Sequence, residues 1–313
     1  MKRILITGVN GQIGTELTEN LESLVGYENI VGLDLRPALP PYKIAHETVD
    51  VAKKEAVRQV IERYEIDTIF HLASLLSARG EINPDQTWDV NMTGLKNILD
   101  LARGKKIKVF WPSSIAVFGP TSPKEKTPQQ TILNPSTMYG ITKRAGELLC
   151  EYYFRKFKVD IRSVRYPGII SYKTEPGGGT TDYAVEIFYE ALRNKVYTCF
   201  VGPETCLPMM YMDDSVRAAI EIMQADKKSI KIRSSYNLTG ISFTVEELVR
   251  EIQNNIPDFT CNYAPDFRQE IADSWPQSID DSCARNDWSW RHKYDISGIT
   301  QVMLEKLREK LKL

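Results

Sequence analysis

Apolar positions follow two alternating rhythms through the first half of the chain. Short continuous apolar runs at 3–7, 30–35, 68–73, 109–113 and 161–170 predict strands. Between them the apolar spacing becomes helical. Ile13, Leu17, Leu21 and Leu24 share one face over 12–24, and Val57, Val60 and Ile61 do so over 55–64. Longer helices are predicted over 86–103 and 139–157. Strands alternating with helices of this length predict parallel βαβ units. Continuous rather than alternating apolar strands suit a sheet covered on both faces. The expected fold class is therefore α/β, a doubly wound parallel-sheet Rossmann fold.

The rhythm loosens after residue 170. PGGGTTDYAVEIFYEALRN reads as a glycine hinge followed by a helix, and further helices are predicted over 215–223, 245–256 and 299–311, with a late strand over 235–238. These features predict a nucleotide-binding core over 1–170. Residues 171–313 then form mainly a small substrate-binding cap, with returns to the core at about 211–240.

Composition narrows the function. The 313 residues are 42% hydrophobic and 26% charged, with a formal net charge of -1. A charge so near zero offers no electrostatic footprint for nucleic acid. No apolar run approaches the ~20 residues of a membrane helix. The first strand begins almost at the start, leaving no room for a signal peptide. Cys150, Cys199, Cys206, Cys261 and Cys283 are scattered without a C-x-x-C pair, as expected of reduced thiols in a cytoplasmic setting. His46, His71 and His292 are far apart, so no metal site is expected.

The first strand runs into TGVNGQIG. Gly8 stands where the strand turns, Gly11 lets backbone approach a pyrophosphate, and Gly14 lets the helix pack close to the sheet. The spacing is G-x-x-G-x-x-G rather than the commoner G-x-G-x-x-G. A tight βα turn alone would also use glycines. Asp34, 20 residues after Gly14, closes the second strand and can accept both hydroxyls of an adenosine ribose, favouring NAD over NADP. Arg36 nearby is either a counterweight to that preference or a solvated loop charge. Asp50 and Val51 either touch the adenine or start the next helix.

Two further stretches carry chemistry. SSIAVFG ends the strand near 113, and YGITK opens the long helix with Tyr139 and Lys143 at i and i+4, on one face. A neighbouring cation is expected to lower the phenol's pKa, so that Tyr139 serves as a base. Ser114 would hold the reacting oxygen.

TGVNGQIG, HLAS (71–74), Asn91, SSIAVFG, YGITK and RYPGI (165–169), taken in this order, resemble the extended short-chain dehydrogenases, the group that includes UDP-galactose 4-epimerase. The resemblance covers essentially the whole chain. It implies Ser114, Tyr139 and Lys143 as catalytic residues, with Lys143 also holding the nicotinamide ribose. It implies NAD as cofactor, bound by the turn from Gly8 through Asn10, Gly11, Gln12 and Ile13 to Gly14. Asp34, Leu35, Asp50 and Val51 would face the adenosine, and Leu72, Ala73, Ser74 and Asn91 the middle of the cofactor. Tyr166, Pro167 and Ile169 would pass the nicotinamide. His71, a base on paper, is a strand residue in this setting. Members commonly pair as homodimers through a four-helix bundle, here the helices near 91–101 and 139–157.

Substrate class is the remaining question. Members that act on nucleotide sugars usually carry an asparagine soon after the RxP-like strand, and RYPGIISYKTEPGGGTTDY has none there. Instead Thr180 or Thr181 is placed to cap a helix whose N-terminus can receive a carboxylate. The glycine-threonine stretch, SSIAVFGPTSP and SWPQSIDDSCARNDWSW together are similar to the short-chain, metal-independent type of L-threonine 3-dehydrogenase, which oxidises the β-hydroxyl to 2-amino-3-oxobutanoate in threonine catabolism. That resemblance implies a small-molecule substrate, L-threonine, surrounded by Ser74, Leu76, Ser77, Ser114, Tyr139, Gly178, Thr180 and Thr181. Trp275 either closes the pocket or packs within the cap, and Asp182 either meets the ammonium or caps the helix. A nucleotide-sugar epimerase or dehydratase is the alternative.

Overall fold

In a computed structural model, which describes residues 1–38 and 43–313, the first half of the chain is built from βα repeats. These are β1 (Ile4–Thr7), α1 (Gln12–Val25), β2 (Ile30–Asp34), β3 (Ala45–Thr48), α2 (Lys54–Arg63) and β4 (Thr68–His71). There follow α3 (Ser77–Ile82), α4 (Pro84–Trp88), α5 (Gly94–Ala102), β5 (Lys108–Ser114), α6 (Met138–Phe157), β6 (Asp160–Tyr166) and β7 (Gly168–Ile170). The second half holds α7 (Tyr183–Arg193), β8 (Val196–Cys199), β9 (Cys206–Tyr211), α8 (Met212–Gln224), β10 (Tyr236–Asn237) and β11 (Ile241–Thr244). It ends with α9 (Val245–Gln253), β12 (Thr260–Tyr263), α10 (Phe267–Ser274), α11 (Ser282–Trp288) and α12 (Ile296–Leu311).

Seven strands form one sheet in the order β10-β6-β5-β4-β1-β2-β3, every pair parallel. The order reverses between β1 and β4, and ligands of open α/β sheets bind at that switch point, beyond the carboxyl ends of the strands. Leu17 and Leu21 of α1 pack one face with Val216 and Ile220 of α8, while Val57, Leu95, Ile98 and Cys150 from α2, α5 and α6 cover the other. The buried strands are apolar throughout for this reason. A third cluster joins α7, α9 and α12 to a sheet of order β11-β9-β7 and to the pair β12-β8.

Two expectations change. The strand predicted over 161–170 divides at Pro167, which has no N–H to give a ladder; β6 stays in the main sheet and β7 pairs with β9. The helix predicted over 86–103 contains a π-turn at 89–93, and its one-residue excess turns Asn91 inward. Among the described residues no helix is long and apolar enough to cross a membrane.

Candidate active site

The glycine turn lies at the switch point. Gly8 has φ +72, a left-handed conformation that penalises a side chain, and a Cβ there would sit 2.7 Å from the Ala73 backbone nitrogen. A Cβ on Gly14 would overlap the Gly8 carbonyl and lie 2.7 Å from that of Val9, so only glycine lets α1 approach the turn so closely. Gly11 is the N-cap of α1 and supplies no capping side chain, which leaves the first N–H groups of the helix for a ligand. Asn10 keeps its Oδ1 buried without a partner, while its Nδ2 donates to the Pro37 carbonyl at 2.9 Å. Asp34 accepts from the Asn10 N–H at 3.1 Å and the Arg36 N–H at 3.0 Å. Arg36 also reaches the Asn10 carbonyl at 2.8 Å, so it braces this turn rather than hanging free in the loop. A bare helix N-terminus, a glycine cradle and a strand-end carboxylate fit the pyrophosphate and ribose of a dinucleotide.

The other residues expected beside the cofactor fall into two groups. Gln12, Ile13, Leu72, Ser74, Pro167 and Ile169 line a cleft running from the glycine turn. Leu35 is exposed beyond β2, and Val51 is buried beneath α5. Asp50 accepts from the Ala52 N–H at 2.8 Å in a turn before α2, whose N-cap is Lys53. Asn91 accepts from the Leu75 N–H at 2.9 Å and donates to Thr142 Oγ1 at 3.1 Å, tying the 74–75 loop to α6. Tyr166 lines the cleft with its ring and donates its hydroxyl proton to the Ser215 carbonyl at 2.6 Å.

The same cleft, about 150 Å3 in all, reaches Ser114, Tyr139 and Lys143 on one wall. Leu76, Ser77, Thr180, Thr181 and Trp275 form the opposite wall. Chain connectivity explains the first wall. Ser114 ends β5, and α6 starts beside it, capped by Thr137, whose hydroxyl accepts from the Gly140 N–H at 3.1 Å. The Lys143 ammonium donates to the Pro112 carbonyl at 2.7 Å and lies 5.4 Å from the Tyr139 ring centroid. The second wall comes from distant segments. Ser77 and Thr180 hydroxyls meet at 3.4 Å across 103 residues, and the Trp275 carbonyl is held by Lys124 at 3.2 Å. Trp275 is thus both packed and part of the pocket.

The pKa pattern reverses one expectation. Burial pushes the Tyr139 phenol up to about 12, against a smaller downward pull from its hydrogen bond with Ser114. The same dry surroundings push Lys143 down to about 7, so the cation expected to acidify the phenol is itself weakened. His71 is pushed down to about 3, first by burial and then by the Lys143 charge; it bonds Thr7 Oγ1 at 2.7 Å within β4 and does not line the cleft.

The glycine-threonine segment also differs from expectation. Neither Thr180 nor Thr181 caps α7; the N-cap is Asp182. Its carboxylate turns back to accept from the Gly178 N–H at 2.8 Å and the Gly179 N–H at 2.7 Å, stitching the loop closed. The two threonines are left to face the cleft. Burial raises the Asp182 carboxyl, and those backbone donors oppose the rise.

Sequence reasoning missed the support beneath this wall. Glu147 is wholly buried and accepts from Ser113 Oγ at 2.7 Å and from Arg165 at 2.7 and 2.9 Å. Glu147 stands four residues after Lys143 and eight after Tyr139, on the same helix face, a spacing that marks it in the sequence. Glu81 of α3, also missed, accepts from the Met138 N–H at 2.6 Å at the head of α6.

Comparisons with known proteins identify the family. The model of the NAD dependent epimerase/dehydratase family matches residues 4–238. An uncharacterized epimerase/dehydratase from Staphylococcus haemolyticus is 48% identical, over 99% of both chains. The crystal structure of L-threonine dehydrogenase from Phytophthora infestans is 50% identical with a TM-score of 0.96, covering 99% of this chain and 100% of that one. A monomeric L-threonine 3-dehydrogenase from a metagenome, in its apo form, is 48% identical with a TM-score of 0.95, covering 98% and 99%.

Proposed function

The chain belongs to the NAD-dependent epimerase/dehydratase family of extended short-chain dehydrogenases, with NAD as cofactor, and from that premise we propose that it oxidises the β-hydroxyl of L-threonine to 2-amino-3-oxobutanoate. The observation that carries this reading is the lining of the cleft beside Tyr139. Its walls are rich in hydroxyls, from Ser74, Ser77, Ser114, Thr180 and Thr181. Such a lining suits the charged and hydroxyl groups of a free amino acid. The names of the structural relatives point the same way.

Bound NAD supplies the hydride acceptor. The protein supplies orientation and the path of the proton. The substrate carboxylate rests against the Thr180 and Thr181 hydroxyls. Trp275 and Leu76 cover the methyl side. Ser114 donates to the β-oxygen and Tyr139 takes its proton as the carbonyl forms. Lys143, anchored on the Pro112 carbonyl, stabilises the phenolate when protonated and holds the cofactor ribose. The stitched loop 178–182 keeps water from the reacting carbon.

The bundle-type homodimer is a further proposal, supported on one helix only. Ile141, Leu148 and Tyr152 expose an apolar stripe along α6, and Trp88 adds to it from α4. The apolar positions of α5 turn inward instead, leaving Lys96 outside, and one close structural relative is described as monomeric.

The deciding experiment follows NADH absorbance with purified protein, NAD and, separately, L-threonine, D-threonine, L-serine and UDP-galactose. NADH formation with L-threonine alone is expected. Conversion of UDP-galactose without net NADH, and silence with the amino acids, would overturn the reading in favour of an epimerase.

A further inference from the structure

A second cavity, of about 440 Å3, opens between α6, the 129–133 segment and the 231–234 segment. It shares no lining residue with the cleft that holds Tyr139. Five of its lining side chains are cationic, namely Arg144, Arg155, Arg165, Lys231 and Arg233, against the single carboxylate of Glu151. We propose that this cavity is a binding site for a phosphate-bearing small anion.

The charges behind the cavity leave the cations under-neutralised. Arg144 and Arg165 share one carboxylate, Glu147, at 3.3 and 2.7 Å. Arg233 divides Asp160 with Arg162. Arg155 and Lys231 each reach one carboxylate, but both are largely exposed, at 75% and 72% of the side chain, where pairing is weak and exchangeable. Arg233 is held within the protein: its terminal nitrogens donate to Asp160 at 2.8 Å, to the Ile161 carbonyl at 3.1 Å and to the Lys227 carbonyl at 2.9 Å. Its guanidinium sits 4.3 Å over the Phe154 ring, which keeps that positive charge fixed at the cavity floor.

The ligand chemistry follows from these groups. The Arg144 and Arg155 forks match the oxygens of a phosphate, with the buried Arg165 and Arg233 charges behind them, and clustered donors favour a dianion over a carboxylate. The volume exceeds that of a bare phosphate, leaving room for a small organic body against Phe154. Lys231 and Arg155 stand at the open rim, where cations speed the capture of an anion.

The test uses protein saturated with NAD, so that the glycine turn is filled and does not take up the anion. Calorimetric titrations with inorganic phosphate and with glycerol 3-phosphate are compared with chloride at matched ionic strength, at a pH where both phosphates are dianionic. Saturable binding to one site is expected. Arg155→Ala/Lys231→Ala, which changes two exposed side chains and spares the core, is expected to weaken it at least about tenfold. Equal affinity for the two probes assigns the site to free phosphate, and tighter ester binding to a phosphorylated metabolite. No saturable binding of either probe, or binding unchanged in the double variant, overturns the proposal. Neither outcome depends on which substrate the enzyme oxidises.

Discussion

Replacing Glu147 by glutamine tests how the catalytic helix is held. The substitution keeps the shape of the side chain and removes its charge. Glu147 is wholly buried and Arg165 has 3% of its side chain exposed, so no solvent stands ready to replace the lost carboxylate. Arg165 donates to both Glu147 oxygens, at 2.7 and 2.9 Å, and an amide offers it only one acceptor. Ser113 then competes for that acceptor. Removing one partner of a buried ion pair leaves an uncompensated charge and costs about 3–5 kcal/mol. With an unfolding entropy of about 2.1 cal/mol/K per residue, a chain of 313 residues shifts its thermal midpoint by roughly 1.5 °C per kcal/mol, so Glu147→Gln should lower it by about 5–8 °C. The double variant Glu147→Leu/Arg165→Met removes both charges and should recover part of that loss, because apolar replacement of a buried pair is often neutral. Recovery stays incomplete, since Ser113 Oγ and Asn237 Oδ1 lose their partners, at about 1–3 kcal/mol each. Midpoints measured by near-ultraviolet circular dichroism give the answer. A Glu147→Gln loss below about 1 kcal/mol, or a double variant worse than the sum of its singles, would refute the view that a dry ion pair anchors α6.

Three further outcomes are expected. Tyr139→Phe should retain NAD affinity while losing activity by about 100-fold or more, the scale of a missing general base; a variant with most of its turnover would show that another group takes the proton. Gly14→Ala drives a methyl group into the Gly8 and Val9 carbonyls, and an overpacking cost of about 1–3 kcal/mol should weaken NAD binding roughly tenfold or more in a fluorescence titration. Lys143 holds its proton only to about 7 when folded, against the 10.5 of a free lysine ammonium, so between those values the unfolded chain binds more protons and stability rises with pH. Below 7 both states are protonated and this contribution is flat. Denaturant midpoints of Lys143→Met and the parent should therefore differ most at pH 6 and below and converge toward pH 10, and a constant difference would exclude a depressed ammonium.

How much of this protein its sequence determines follows from the range of each interaction. The βα alternation, the glycine turn and the Tyr139–Lys143 face all rest on residues within a turn or two of each other, so apolar periodicity and glycine spacing display them. Asp34 at the end of β2 was legible because a parallel strand returns its carboxyl end to the same edge of the sheet as Gly8. The opposite wall of the cleft was not legible in this way. Thr180 meets Ser77 across 103 residues, Lys124 holds Trp275 across 151, and no local pattern encodes such pairs. The cap of α7 moved from the threonines to Asp182 because that carboxylate closes on the Gly178 and Gly179 amides, a local choice that only the folded loop reveals. Residue types along the chain nominated Tyr139 as a base and Lys143 as its cation. The tertiary structure alone set the direction in which each pKa moves, because the same burial that excludes water raises the phenol and lowers the ammonium.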